Sequence, residues 1–308
     1  MIQPAPAFMK VSGSCLCGRS TYRLKLPGLC EDQAPPVHVS FCHCEDCRKQ
    51  SGAPFSPYIQ TDGAEVTWGG QGLKRVPAKC AGRPGQALER LLCAACLSMM
   101  ALAPEAGPLE LSAGCLDDGD YSDDRAGRAP DEGVLPSSVR FELSERCVDQ
   151  RARWHHRARP QIKKGWGRTE RRVLGSCACG GCRFEIDMPG EIQHCYCRMC
   201  RQLSGGALMT WAPARTSRMR WLSDDGLKLR RTSAAASRHG CVKCGTTLSI
   251  VYDWQDGTIW PSVGAFDEST LADDPGEDLY RIAHICVKSR PPWYELPEDG
   301  LERIDYAC

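Results

Sequence analysis

The sequence predicts an all-β protein made of two tandem copies of one cysteine-rich domain, and three observations carry that expectation. The 308 residues include 21 cysteines, many of them one or two positions apart. Three cysteine clusters recur in one order in the two halves of the chain. The segments between them are short, enriched in β-branched or aromatic residues, and punctuated by Gly and Pro.

An odd number of cysteines cannot all pair within one chain. Neighbours such as Cys15 and Cys17 are too close for strain-free disulfides with each other, but they suit a shared cation. The opening MIQPAPAFMK has no basic region followed by an apolar run, and no stretch approaches membrane-spanning length. Together these predict a reducing compartment, the cytosol with the nucleus as alternative, where thiols stay available as ligands. No membrane partner is expected. At 42% hydrophobic, 25% charged and a formal net charge of +1, the chain has no general attraction to nucleic acid. Thiolate ligation of a metal moves that balance to the acidic side.

The repeat fixes the domain organisation. Gly13-Ser14-Cys15-Leu16-Cys17-Gly18 returns as Gly175-Ser176-Cys177-Ala178-Cys179-Gly180. Cys42-His43-Cys44-Glu45-Asp46-Cys47-Arg48 returns as Cys195-Tyr196-Cys197-Arg198-Met199-Cys200-Arg201, each followed by Ser-Gly. Cys93-Ala94-Ala95-Cys96 returns as Cys241-Val242-Lys243-Cys244, and each copy ends near a tryptophan, Trp154 or Trp293. The predicted domains are 10–155 and 172–308, joined by a basic linker over 156–171. An acidic stretch from Asp117 to Glu132 reads as an exposed loop.

Strands are expected at Thr21–Leu24, Phe55–Gln60, Leu248–Tyr252 and Thr258–Val263. Gln86–Leu92 reads as a short helix. Aromatic residues are only 7% of the chain, so the small sheets need a metal to tie them together.

The outer cysteine pairs of each copy come from distant parts of the chain, as a four-thiolate zinc site requires. In the first copy they are Cys15, Cys17, Cys93 and Cys96. In the second they are Cys177, Cys179, Cys241 and Cys244. The middle clusters, Cys42, Cys44 and Cys47 and then Cys195, Cys197 and Cys200, each supply three thiolates. Three ligands leave a tetrahedral vertex open, the mark of a catalytic zinc. Completion by another cysteine is the alternative: Cys30, Cys80 or Cys115 in the first copy, Cys182 or Cys286 in the second. Up to four Zn²⁺ per chain follow. An open vertex among thiolates suits a thiol ligand better than an activated water.

On these clusters the chain resembles the family of glutathione-dependent formaldehyde-activating enzymes, which also includes centromere protein V. The shared pattern is Gly-x-Cys-x-Cys-Gly, then Cys-His-Cys-x-x-Cys-Arg with Ser-Gly soon after, then Cys-x-x-Cys-Gly and a late Trp. The resemblance implies a β-tent fold of small antiparallel sheets, a structural zinc on the outer pairs and a catalytic zinc on the middle cluster. It also implies carbon–sulfur lyase chemistry on glutathione or another thiol adduct, with a non-catalytic interaction module as the alternative. The first copy has Leu97-Ser98 where the family has Gly. The second has Tyr196 where His is expected and Leu208 where Phe55 sits. The intact middle cluster makes the first copy the expected active one, with Cys42, Cys44, Cys47 and Arg48 as catalytic residues. Arg48 would meet a substrate carboxylate, and Ser51 and Phe55 would shape the pocket.

Overall fold

The computed structural model describes residues 9–26, 35–62, 64–118, 135, 139–152, 154, 172–187, 191–271 and 280–305. The expected linker at 156–171, most of the acidic stretch and Cys30 lie outside the described residues. In the first half, β1 (Met9–Ser14), β2 (Ser20–Leu26) and β5 (Glu65–Gly70) form an antiparallel three-stranded sheet. A seven-stranded sheet runs in the order β10-β3-β4-β9-β8-β7-β6. It joins β3 (Val37–Cys42), β4 (Ser56–Gln60), β6 (Leu73–Ala78), β7 (Leu88–Cys93), β8 (Met99–Pro104), β9 (Glu110–Ser112) and β10 (Phe141–Arg146). Its pairs are antiparallel except β10, which lies parallel to β3.

The second half repeats the plan. A three-stranded sheet comprises β11 (Arg172–Ser176), β12 (Cys182–Asp187) and β16 (Met219–Asp224). The counterpart of the large sheet is divided in two. One part, in the order β14-β13-β21-β22, holds β13 (Glu191–Cys195), β14 (Met209–Trp211), β21 (Tyr280–Ile285) and β22 (Glu302–Ile304). The other, in the order β15-β20-β19-β18-β17, holds β15 (Ala214–Arg215), β17 (Leu227–Arg231), β18 (Ala236–Cys241), β19 (Thr247–Tyr252) and β20 (Thr258–Pro261). A bridge from Trp211 to Ser262 links the two parts. The described α-helices are α1 (Glu45–Ser51) and α2 (Arg198–Ser204). Each starts at the second cysteine of a middle cluster and stops at a left-handed glycine, Gly52 or Gly205.

The expected strands coincide with parts of β2, β4, β19 and β20, although β4 begins one residue late at Ser56, β20 ends at Pro261 and a 3-10 turn occupies Val263–Ala265. The helix expected at Gln86–Leu92 is instead strand β7, paired with β6 on one side and β8 on the other. Ala, Leu, Glu and Arg favour helix locally. Two full ladders of backbone hydrogen bonds and burial of Leu91 and Leu92 override that preference.

The halves are interlocked. Trp154, at the end of the first repeat, is 1% exposed and belongs to the hydrophobic core of the second. Trp293 and Tyr294, at the end of the second, pack in the core of the first against Phe41 and Phe55. Each repeat therefore closes the other's core. The boundary itself is built of reciprocal contacts. Arg48 pairs with Glu268 at 3.0 Å and Arg201 with Asp118 at 2.8 Å. Lys49 meets Asp267 at 2.7 Å, and Arg198 meets Asp117 at 3.0 Å. Two glycines permit the approach: a Cβ on Gly114 would stand 2.1 Å from the Gly206 carbonyl oxygen, and one on Gly264 2.4 Å from that of Arg48.

Candidate functional site

Strand ends position every cluster. Cys15 and Cys17 occupy the turn after β1, and Cys93 ends β7 with Cys96 in the following knuckle. Their sulfurs lie within 4.8 Å of one another, with Cys15–Cys17 at 3.5 Å and Cys17–Cys93 at 3.8 Å. Cys177, Cys179, Cys241 and Cys244 gather in the same way, at 3.4 Å for Cys177–Cys179 and 3.7 Å for Cys179–Cys241. A tetrahedral zinc with Zn–S near 2.3 Å requires sulfurs about 3.8 Å apart, so both groups fit that ion. The chemistry agrees: burial pushes Cys17 and Cys179 each up to about 11. Such thiols are held as thiolates at neutral pH by a cation.

The supporting contacts also repeat. Ser98 Oγ accepts from the Leu16 amide at 3.1 Å, and Thr246 Oγ1 from the Ala178 amide at 3.1 Å. The knuckle turns on Gly245 at φ +82° in the second repeat and on Leu97 at φ +61° in the first. The departure at Leu97 thus keeps the left-handed conformation at a cost of about 1 kcal/mol. The two knuckles contact the opposite half: Arg230 donates to the Cys96 carbonyl at 2.8 Å, and Lys74 to that of Val242 at 2.6 Å.

The middle clusters differ from each other. In the first repeat Cys42 ends β3, Cys44 caps α1 and Cys47 lies on its first turn. Cys80, from the connection between β6 and β7, joins them: it is 3.5 Å from Cys42 and 3.9 Å from both Cys44 and Cys47. The expected open vertex here gives way to the four-cysteine alternative. Cys115 is elsewhere, donating to the Met99 carbonyl at 3.3 Å. In the second repeat Cys195, Cys197 and Cys200 gather as three among the described residues. Cys182 lies against the outer cluster, its amide 3.3 Å from Cys177 Sγ. Cys286 is 4.0 Å from Cys195 but is held in a disulfide. The shorter connection from β17 to β18, residues 232–235, carries no cysteine.

Arg48 does not face an open site. It is buried, donates to the carbonyls of His43 and Gln150, and pairs with Glu268. Ser51 holds a turn through the Phe55 carbonyl at 2.8 Å, and the Phe55 ring packs on Phe41 at 4.8 Å. These residues build the boundary between halves and the core behind it. A buried arginine that sequence reasoning passed over is closer to the sulfurs: Arg238 Nη2 is 3.7 Å from Cys200 Sγ. It stands three residues before Cys241, as Arg90 stands before Cys93, and that shared spacing was the available signal.

A mostly β fold of two repeated halves, each gathering cysteine sulfurs at strand ends in groups that could hold a metal ion, defines a tandem cysteine-cluster protein. Comparison with known families is in agreement: the family described as "Glutathione-dependent formaldehyde-activating enzyme" matches residues 10–129 and again 172–283. The chain belongs to that family, with two copies of its domain. Among solved structures, a crystal structure of a Rhodobacter sphaeroides protein is similar at 22% identity, covering 35% of this chain and 98% of that one, with a TM-score of 0.28. No curated protein matches the chain. No helix among the described residues is long and apolar enough to cross a membrane.

Proposed function

We propose that the chain is a zinc-dependent enzyme of carbon–sulfur bond chemistry, acting on glutathione or another thiol adduct in the manner of formaldehyde activation. The three-thiolate cluster of the second repeat is its substrate site. One observation carries this reading. Cys195, Cys197 and Cys200 gather as a group of three among the described residues, with the nearby Cys286 sulfur engaged in a disulfide, whereas Cys42, Cys44 and Cys47 gather with Cys80.

When bound, zinc supplies a vertex for an incoming sulfur and lowers the pKa of that thiol. Cys195, Cys197 and Cys200 hold the ion, and the chain's other residues shape the site. Arg238 sets a guanidinium beside Cys200, offsetting negative charge in a buried place. Met209, Trp211 and Ile250 pack around the cysteines and keep water out, while Tyr252 and Trp260 cover the outer, half-exposed side. In the addition, a thiol sulfur forms a bond to the carbonyl carbon of an aldehyde. The carbonyl π pair moves to oxygen, which takes up the proton released by the thiol. Holding the sulfur in place turns a bimolecular encounter into an oriented one. The first repeat then serves as scaffold, with Arg48 committed to Glu268. Up to four Zn²⁺ per chain are expected, three in four-cysteine sites and one in the three-cysteine site.

Calorimetric titration of glutathione into the zinc-loaded chain tests this, with formaldehyde turnover followed by NMR. Wild type and Cys47→Ala are expected to bind one thiol, and Cys200→Ala none. Equal binding by Cys200→Ala, or none by wild type, sinks the enzyme reading. The non-catalytic interaction module then takes its place.

A further inference from the structure

The middle cluster of the first repeat is built differently from its twin, and the difference is local. The connection between β6 and β7 covers residues 79–87 and brings Cys80 over Cys42, Cys44 and Cys47. We propose that these four cysteines form a closed tetrathiolate site for one soft, tetrahedral divalent cation of the zinc class. Cys80 thereby occupies the vertex that an external thiol would need, and the site takes no external thiol.

The geometry supports a single ion. The Cys42–Cys44 and Cys42–Cys80 separations are 3.6 and 3.5 Å, and Cys80 is 3.9 Å from each of the other two. These bracket the edge of about 3.8 Å that a zinc tetrahedron with four sulfurs demands. All four side chains are buried.

A second observation is independent of the sulfurs. Arg90, 2% exposed, reaches from β7 to two carbonyls, Asp46 at 3.3 Å and Lys79 at 3.5 Å. Those residues immediately precede Cys47 and Cys80. One guanidinium therefore fixes both arms of the site, the helix and the loop. In the second repeat the equivalent Arg238 donates through Nη1 to Thr232 Oγ1 in the shorter connection, which has no cysteine, and sets Nη2 3.7 Å from Cys200 Sγ. Charge is also matched. Four thiolates around a divalent cation leave net negative charge, and Arg146, in register with Cys42 on the neighbouring strand and paired with Glu110 at 2.7 Å, stands alongside it. Tyr58 adds a hydroxyl 3.5 Å from Cys47 Sγ.

The inference concerns the first repeat, and its test is separable from the proposed thiol chemistry. The full chain is loaded with ¹¹³Cd and its NMR spectrum recorded, since the shift reports how many sulfurs surround each ion. Wild type is expected to give three four-sulfur signals and one of lower sulfur number. Cys80→Ala should move one four-sulfur signal to the three-sulfur range and leave the other two in place. Only two four-sulfur signals in wild type overturn the proposal, whether or not the variant folds. So does an unchanged spectrum in a folded Cys80→Ala protein. Glutathione binding is read separately on the zinc-loaded wild type, and its failure removes the substrate site without altering the signal count.

Discussion

Arg201 Nη1 stands 2.8 Å from the Asp118 carboxylate across the boundary between the two repeats, and both side chains are out of water. The same pairing recurs with the halves exchanged, Arg48 with Glu268 at 3.0 Å. Removing one member of a buried pair strands the other's charge, at a cost of about 3–5 kcal/mol. Arg201→Ala should show a loss of that size in urea unfolding, and Arg48→Ala less, because Glu268 is 19% exposed. The double variant Arg201→Ala/Asp118→Ala should lose less than the sum of the singles. A loss below about 1 kcal/mol for Arg201→Ala would show that this pair does not hold the boundary.

The exchanged tryptophans predict that neither half stands alone. Trp293→Ala should cost about 3–5 kcal/mol, because it empties the core of the first repeat as well as loosening the second. Residues 1–160 and 165–308, produced separately, should lack cooperative unfolding and recover it when mixed. A sharp transition from either piece by itself would contradict the interlock.

Backbone contact at the boundary makes a sharper test. Gly114→Ala and Gly264→Ala place a methyl 2.1 Å from the Gly206 carbonyl oxygen and 2.4 Å from that of Arg48, which lies in α1. Each should destabilise by more than about 2 kcal/mol. Gly72→Ala meets nothing within 4 Å and should stay within about 0.5 kcal/mol of wild type. Thermal melts of the three variants decide it, and equal behaviour would refute the close approach.

Loss of an outer zinc should unfold both halves together. Arg230 holds the Cys96 carbonyl and Lys74 that of Val242, so each knuckle is braced by the opposite repeat. Cys93→Ser and Cys241→Ser are expected to give one broadened or lost transition for the whole chain. Two separate transitions, one of them normal, would mean independent domains.

Cys17 and Cys179 should contribute to the pH response with opposite sign in the metal-free and the zinc-loaded protein. Without metal, Cys17 and Cys179 are raised to about 11, chiefly by burial. Groups raised in the fold stabilise it fully below their unfolded pKa, and that contribution is lost as pH climbs toward 11. Zinc-bound thiolates are depressed instead, so the loaded protein loses stability as pH falls and protons displace the ion. Urea unfolding with and without chelator across that range checks the sign. A loaded protein indifferent to acidification would argue against thiolate-bound zinc.

The duplication, the outer ligand pairs and the triplets at Cys42 and Cys195 were legible in the sequence because they depend on short spacings. A turn that presents two or three sulfurs to one cation needs its cysteines within a few residues, and that pattern survives without knowledge of the fold. Strands β2, β4 and β19 were legible for the same local reason. Tertiary structure alone decided the rest. Cys80 is 33 residues from Cys47 in sequence, and the loop that carries it has no periodicity to mark it as a ligand. The β7 segment has helical composition, and only the strands on either side make it extended. Arg48 finds Glu268 and Trp293 finds Phe41 only after the two repeats dock. Contacts of that kind become favourable once other packing has already met the entropy of closing long loops, so no local pattern foretells them.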